Sequence, residues 1–206
     1  MIDKSVPHSP ISMFKTDTKS YPEYALPDGY SFSFYQKGDE VAWARLERAL
    51  GQFETEELAL EHFQKDFYDG QRLRPEDRML FVKDAAGEIV ATASLWDGEY
   101  FGRIEQRIHW VAVSDRCAGQ GIAKAMLTRL FRLYNVLGYE GYIYLWTGTR
   151  NYPAIAIYRK FGFIEYRGEI SPFTNLPDPD FAAMNRTGLA TLVGKIGENP
   201  LWNERN

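Results

Sequence analysis

"SDRCAGQGIAKAML" (residues 114–127) sets a charged residue and two glycines directly ahead of a run with helical periodicity. Ile122, Ala123, Met126, Leu127, Leu130, Phe131, Tyr134 and Leu137 recur at i, i+3 and i+4. That spacing predicts a long amphipathic helix over 121–137, closed by Gly138. The stretch before it, "RIHWVAV" (107–113), reads as a strand. Strand, glycine turn and long helix together make an anion site. The first turn of a helix has N–H groups without internal partners, and the dipole adds roughly half a positive charge there. Gly119 and Gly121 admit φ > 0 and let a bulky phosphate come close. No Gly-Lys-Ser/Thr follows, so this is not a Walker loop, and GxGxxG is missing, so it is not the dinucleotide fingerprint. Taken alone, the same glycines also suit an ordinary turn.

The 206 residues are 45% hydrophobic, enough for one domain with a sizeable core. No stretch approaches about 18 consecutive apolar residues, and the N-terminus lacks the apolar segment of a signal peptide. A membrane partner is therefore not expected. Cys117 is the one cysteine, so no intrachain disulfide forms, which fits a reducing cytoplasm. The formal net charge is −4 and no basic stripe is present, which argues against nucleic acid. His8, His62 and His109 lie far apart, without HExxH or CxxC, so no metal site is expected.

Residues 1–29 carry prolines and little periodicity and read as an extended leader. "YSFSFYQ" (30–36) alternates as a strand. Helices are predicted over 39–50, from Val41, Ala42, Leu46 and Ala49, and over 55–69, with Leu58, His62, Phe63 and Phe67 on one face and Thr55 near the cap. Strands at 79–84 and 89–96 flank a Gly-containing turn. After the long helix come a strand at 142–147, a helix at 152–162 and a strand at 163–167. "GLATLV" (188–193) reads as a last strand. The class is α/β (α+β), in the order β-αα-βββ-α-β-α-β, one domain over 30–206.

"VAVSDRCAGQGIAKAM" resembles the acetyl-coenzyme A loop of the GNAT acetyltransferase superfamily, Arg/Gln-x-x-Gly-x-Gly/Ala, here Arg116 to Gly121. About 30 residues on, "NYPAIAIYRKFGF" (151–163) is similar to the family's second motif, with Asn151, Ala154, Tyr158 and a closing Gly-Phe. The resemblance spans roughly residues 30–167 and is strongest over 79–167. It implies a mixed central sheet, splayed to admit the acyl-CoA arm. It also implies that the amides of Gly119, Gln120, Gly121, Ile122, Ala123 and Lys124 cradle the pyrophosphate, with Arg116 shaping or neutralising the loop. The main chain of Val111, Ala112 and Val113 would pair with pantetheine as with a strand, and Asn151 would contact it. Many relatives are dimers, so a homodimer stays open.

Acyl transfer from a thioester to an amine needs a neutral nucleophile, a stabilised oxyanion and a proton for the leaving thiolate. Tyr158 is the candidate acid: it shares a helix face with Asn151, Ala154 and Ile155. The base stays open. Alternation puts Arg107, His109, Val111 and Val113 on one strand face, and Glu105 too if the strand runs back unbroken. Some relatives carry a Glu where this chain has Arg107, which leaves His109 first and Glu105 second. Residues 39–78 hold 11 Asp/Glu against 6 Lys/Arg, which mildly favours a cationic acceptor.

The expected function is N-acetyltransfer from acetyl-CoA to a primary amine, on a small molecule or peptide, by direct attack in a ternary complex. A catalytically silent acyl-CoA sensor, another acyl donor or acceptor, and a nucleotide-binding protein stay open as alternatives.

Overall fold

The computed structural model describes residues 2–202; residues 203–206 of the expected domain lie outside the described residues. Strands are β1 (Pro10–Lys15), β2 (Ser31–Phe34), β3 (Met79–Lys83), β4 (Ile89–Tyr100), β5 (Arg103–Val113), β6 (Ile143–Gly148) and β7 (Ile164–Glu165). Helices are α1 (Asp39–Ala49), α2 (Glu56–Phe67), α3 (Pro75–Arg78), α4 (Ile122–Val136), α5 (Tyr152–Lys160) and α6 (Pro179–Ile196). The strands form a seven-stranded mixed sheet in the order β2-β3-β4-β5-β6-β1-β7. By contacts the chain divides into two compact units. One takes Met1–Pro22, Asp97–Arg107 and Tyr139–Asn206; the other takes Glu23–Trp96 and Ile108–Gly138. Among the described residues no helix is long and apolar enough to cross a membrane.

In the unit of Glu23–Trp96 and Ile108–Gly138, β2 pairs antiparallel with β3, and β3 with β4. Its core gathers Tyr35, Trp43, Phe63, Phe67, Phe81 and Trp96, all nearly inaccessible. Thr55 caps α2 by accepting from the Leu58 amide at 3.2 Å, as the sequence predicts. The helix faces differ from the periodicity reading, however. Leu58 and Val41 are exposed, while α1 turns Trp43, Ala44, Leu46 and Glu47 inward. The large indole decides which face of α1 packs, because it buries more apolar area than Val41 would.

Glu47 is thereby carried into the interior, one helical turn from Trp43, and its Oε1 has no hydrogen-bond partner. Helical sequence reasoning assigns such a residue to a solvated face.

In the other unit, β1 lies between β6 and β7 and pairs antiparallel with both, Met13 opposite Leu145 on one side and Glu165 on the other. The expected leader is therefore corrected: residues 10–15 are an internal strand with Ile11 and Met13 fully buried. Sequence alternation missed it because polar residues are buried too. The Ser12 hydroxyl, for example, is satisfied at 2.8 Å by the Tyr100 hydroxyl.

A second correction falls at "GLATLV", which is helical, inside α6. The Asp178 carboxylate caps α6 by accepting from the amides of Asp180 and Phe181, and Pro179 opens it. Gly188 and the flanking Thr187, Thr191 and Val193 lower local helix propensity, hence the strand reading. Tertiary contact overrides it. A Cβ at Gly188 would stand 2.8 Å from Ile11 Cδ1 and 3.0 Å from Ser9 Cβ, so only glycine lets α6 lie this close to β1.

Burial pushes the Glu47 carboxyl up to about 8. The folded state thus binds this proton more tightly than the unfolded chain, where the carboxyl titrates near 4.5. The contribution to stability is complete below that value and is lost as pH rises through about 8. Glu47→Gln stays neutral throughout. Its melting midpoint should exceed that of the wild type by roughly 5 °C above pH 8 and match it in acid, as followed by circular dichroism across the pH range.

Candidate acyl-CoA loop and catalytic groups

The β5–α4 junction is built on backbone conformation. A single 3-10 turn, Asp115–Cys117, follows β5, and Gly119 and Gly121 then take φ of 78° and 90°. No atom lies within 4 Å of a Cβ placed at Gly119, so the left-handed φ, not crowding, calls for glycine there. Gly121 is the N-cap of α4 and supplies no side-chain cap, and the first turn holds no acidic residue. The orphan amides of that turn are left to an outside acceptor. Ile122, fully buried, anchors the helix beneath them.

Side chains brace the loop. Arg116 Nη2 donates at 2.9 Å to both Asp84 and Glu88 at the β3–β4 turn. Arg116 therefore shapes the loop through an ion pair with its own unit. The Tyr30 hydroxyl donates to Gln120 Oε1 at 2.9 Å, and Lys124 Nζ sits 4.7 Å from the Tyr24 ring centre. Cys117 is buried. The donor set fits a diphosphate: main-chain amides, two left-handed glycines, and no carboxylate in the first turn.

On β5, Ala112 is buried and Val111 and Val113 are half-buried. Trp110 has φ of 48°, a left-handed value in mid-strand that costs about 1 kcal/mol or more for an indole-bearing residue. Its compensation lies in α2: Trp110 Nε1 donates to Asp66 Oδ2 at 2.8 Å. His109 Nε2 meets the same oxygen at 3.1 Å, and His62 Nε2 lies 3.4 Å from it. These contacts and charges hold the Asp66 carboxyl down at about 2, against the opposing pull of its burial. Asp66 is the residue sequence reasoning missed. Its i, i+4 spacing from His62 on a predicted helix is the signal that was available.

In the other unit, β5 does run back unbroken to Glu105. Its Oε1 lies 3.6 Å from Arg103 Nε, and its charge adds to burial in raising the Tyr142 phenol. On α5, Tyr158 is buried, its ring edge-to-face with Phe163 at 6.0 Å. Burial raises the phenol well above its ordinary range, so it keeps its proton throughout the physiological span. Asn151, at the N-cap of α5, bonds Thr147 Oγ1 at 3.4 Å. The structure thus gathers residues 111–124 and the His109–Asp66 pair in one unit, and Glu105, Asn151 and Tyr158 in the other. Among the described residues no group of three or more His, Cys, Asp or Glu is placed to hold a metal.

A model of the acetyltransferase (GNAT) family matches residues 16–163. The mycothiol acetyltransferase of Pseudarthrobacter chlorophenolicus is 26% identical over 161 residues, which cover 70% of this chain and 46% of that protein. A GCN5-related N-acetyltransferase from Sphaerobacter thermophilus superposes with a TM-score of 0.62 at 24% identity, over 78% of this chain and 49% of that one. A GNAT-family acetyltransferase from Colwellia psychrerythraea gives 0.56 at 17% identity, over 77% and 54%. The chain spans about half the length of these relatives. The matched region takes in the glycine loop, the α5 motif and most of the sheet, and on that ground the chain belongs to the GNAT family of acetyltransferases.

Proposed function

We propose that residues 30–206, together with β1, act as a cytoplasmic N-acetyltransferase that moves the acetyl group of acetyl-CoA to a primary amine. The observation that supports it best is the pair of left-handed glycines ahead of an uncapped, acid-free first turn of α4. The amides of Gly119, Gln120, Gly121, Ile122, Ala123 and Lys124 are the donors for the diphosphate. Backbone groups of Val111, Ala112 and Val113, and the Asn151 side chain, are assigned to pantetheine. Arg116 acts indirectly, by fixing the loop.

Bound acetyl-CoA supplies an activated thioester carbonyl. A deprotonated amine attacks that carbon; the N–C bond forms and the C–S bond breaks. The amine's proton passes to a base, for which His109, oriented by Asp66, is the first choice and Glu105 the second. Tyr158, protonated because it is buried, donates to the departing thiolate, whose charge the same apolar surroundings disfavour.

A thiol-release screen of acetyl-CoA against small amines, amino acids, polyamines and peptides, alongside calorimetry with CoA and ATP, tests the reading. Tight ATP binding without CoA binding would end it. Gly121→Val should weaken CoA by at least ~10-fold, since a β-branched residue resists φ of 90°. Tyr158→Phe should lower kcat by about 100-fold with CoA affinity intact; an unchanged kcat would remove Tyr158 from the chemistry.

Asp66→Asn is expected to lower kcat/KM for the amine by about tenfold through a loosened His109, with KM for acetyl-CoA unchanged. In the wild type, the depressed Asp66 carboxyl contributes stability that is present above its ordinary 3.8 and is lost as pH falls through about 2. The variant should lack that part of the acid transition in a pH-resolved melting series.

A further inference from the structure

Arg107 is a charged group that its own unit leaves unanswered. It is half-buried on β5, its Nε is inaccessible and unbonded, and it has no ion pair or hydrogen bond among the described residues. Other arginines removed from solvent are engaged. Arg159 meets Glu165 at 2.6 Å, and Arg150 Nε donates to the Val6 carbonyl at 3.0 Å.

The two carboxylates whose charge reaches the same neighbourhood as Arg107 serve other donors. Asp97 accepts from Gln106 Nε2, and Glu105 pairs with Arg103. A buried donor of a charged group left unmet is destabilising, and an anionic ligand would relieve it.

The surroundings are shaped to hold the group in place. A Cβ at Gly98 would stand 2.9 Å from Arg107 Cδ and would collide with the Tyr144 hydroxyl, so glycine on β4 is what admits both side chains. The Tyr144 hydroxyl makes only a long 3.4 Å bond to the Glu99 carbonyl. Burial, the largest cause, pushes its pKa up to about 12, so it remains a donor at neutral pH. A guanidinium fork suits a planar or tetrahedral oxyanion, and the buried Tyr144 ring packs beside it as part of its wall. Glu105, a base candidate, is two residues away on the same strand face.

We propose that Arg107 binds the carboxylate or phosphate of the amine acceptor, so that the substrate is an amine carrying an acid group. This rests on the acetyltransferase reading above.

The test compares matched acceptors on the full chain: amino acids against their decarboxylated amines, and phosphoethanolamine against ethanolamine. The first pairs report a carboxylate, the last a phosphate. The wild type should favour the acid-bearing member of at least one class of pair by ~10-fold or more in kcat/KM. Arg107→Gln should erase that preference through KM, with KM for acetyl-CoA unmoved. Arg107→Lys should keep part of it. Equal use of both members by the wild type, or a loss in Arg107→Gln that is the same for both, overturns the proposal.

Calorimetric titration of the CoA-loaded protein with the same acids reads the site without turnover. If CoA binds and no amine is acetylated, the acetyltransferase reading falls. The titration then decides Arg107 on its own: acid binding lost in Arg107→Gln supports the site, and identical or absent binding in both proteins sinks it.

Discussion

Everything assigned to the cofactor depends on how β5 hands over to α4. Two residues in left-handed conformation turn the chain so that the first-turn amides of a fifteen-residue helix are left without a capping side chain. A side chain at either glycine would be strained, and a Ser or Asp at the N-cap would occupy the donors that an anion needs. The ion pairs from Arg116 to Asp84 and Glu88 then tie this loop to the neighbouring hairpin turn. Preorganisation of this kind lowers the ordering cost of binding any anion at the loop.

The same unit contains a second constrained element. Asp66 collects the Trp110 indole and the imidazoles of His109 and His62 on one oxygen. That convergence coincides with the left-handed backbone at Trp110, a strain that ordinary strand pairing would not sustain. A regular β5 would aim Trp110 and His109 to opposite faces. The irregularity is what allows adjacent residues to reach one carboxylate. In the other unit, Tyr158 is held protonated by its apolar surroundings, and the buried Nε of Arg107 is left without a hydrogen-bond partner.

Legibility in the sequence tracked how local each signal was. The glycine loop, α4, the α2 cap at Thr55 and the α5 motif were readable because glycine φ, capping and 3.6-residue periodicity act over a few residues. β1 was not, since Ser12 and Lys15 are buried alongside Ile11 and Met13 and erase the alternation. Nor was α6, whose Gly188 weakens a helix locally while permitting a close approach to β1. His109 could be named from its residue type, but its partner Asp66 lies 43 residues away in sequence.

By itself, the sequence determined the class, the family resemblance and the glycine turn ahead of α4, because each follows from short-range backbone preference. Only the tertiary structure decided which polar groups are paired. Glu47 is buried with its Oε1 unbonded, Asp66 Oδ2 meets the Trp110 indole and two imidazoles, and Arg107 Nε is left without a hydrogen-bond partner. Pairing is a property of distances between residues far apart in the chain, and neither composition nor periodicity carries that information.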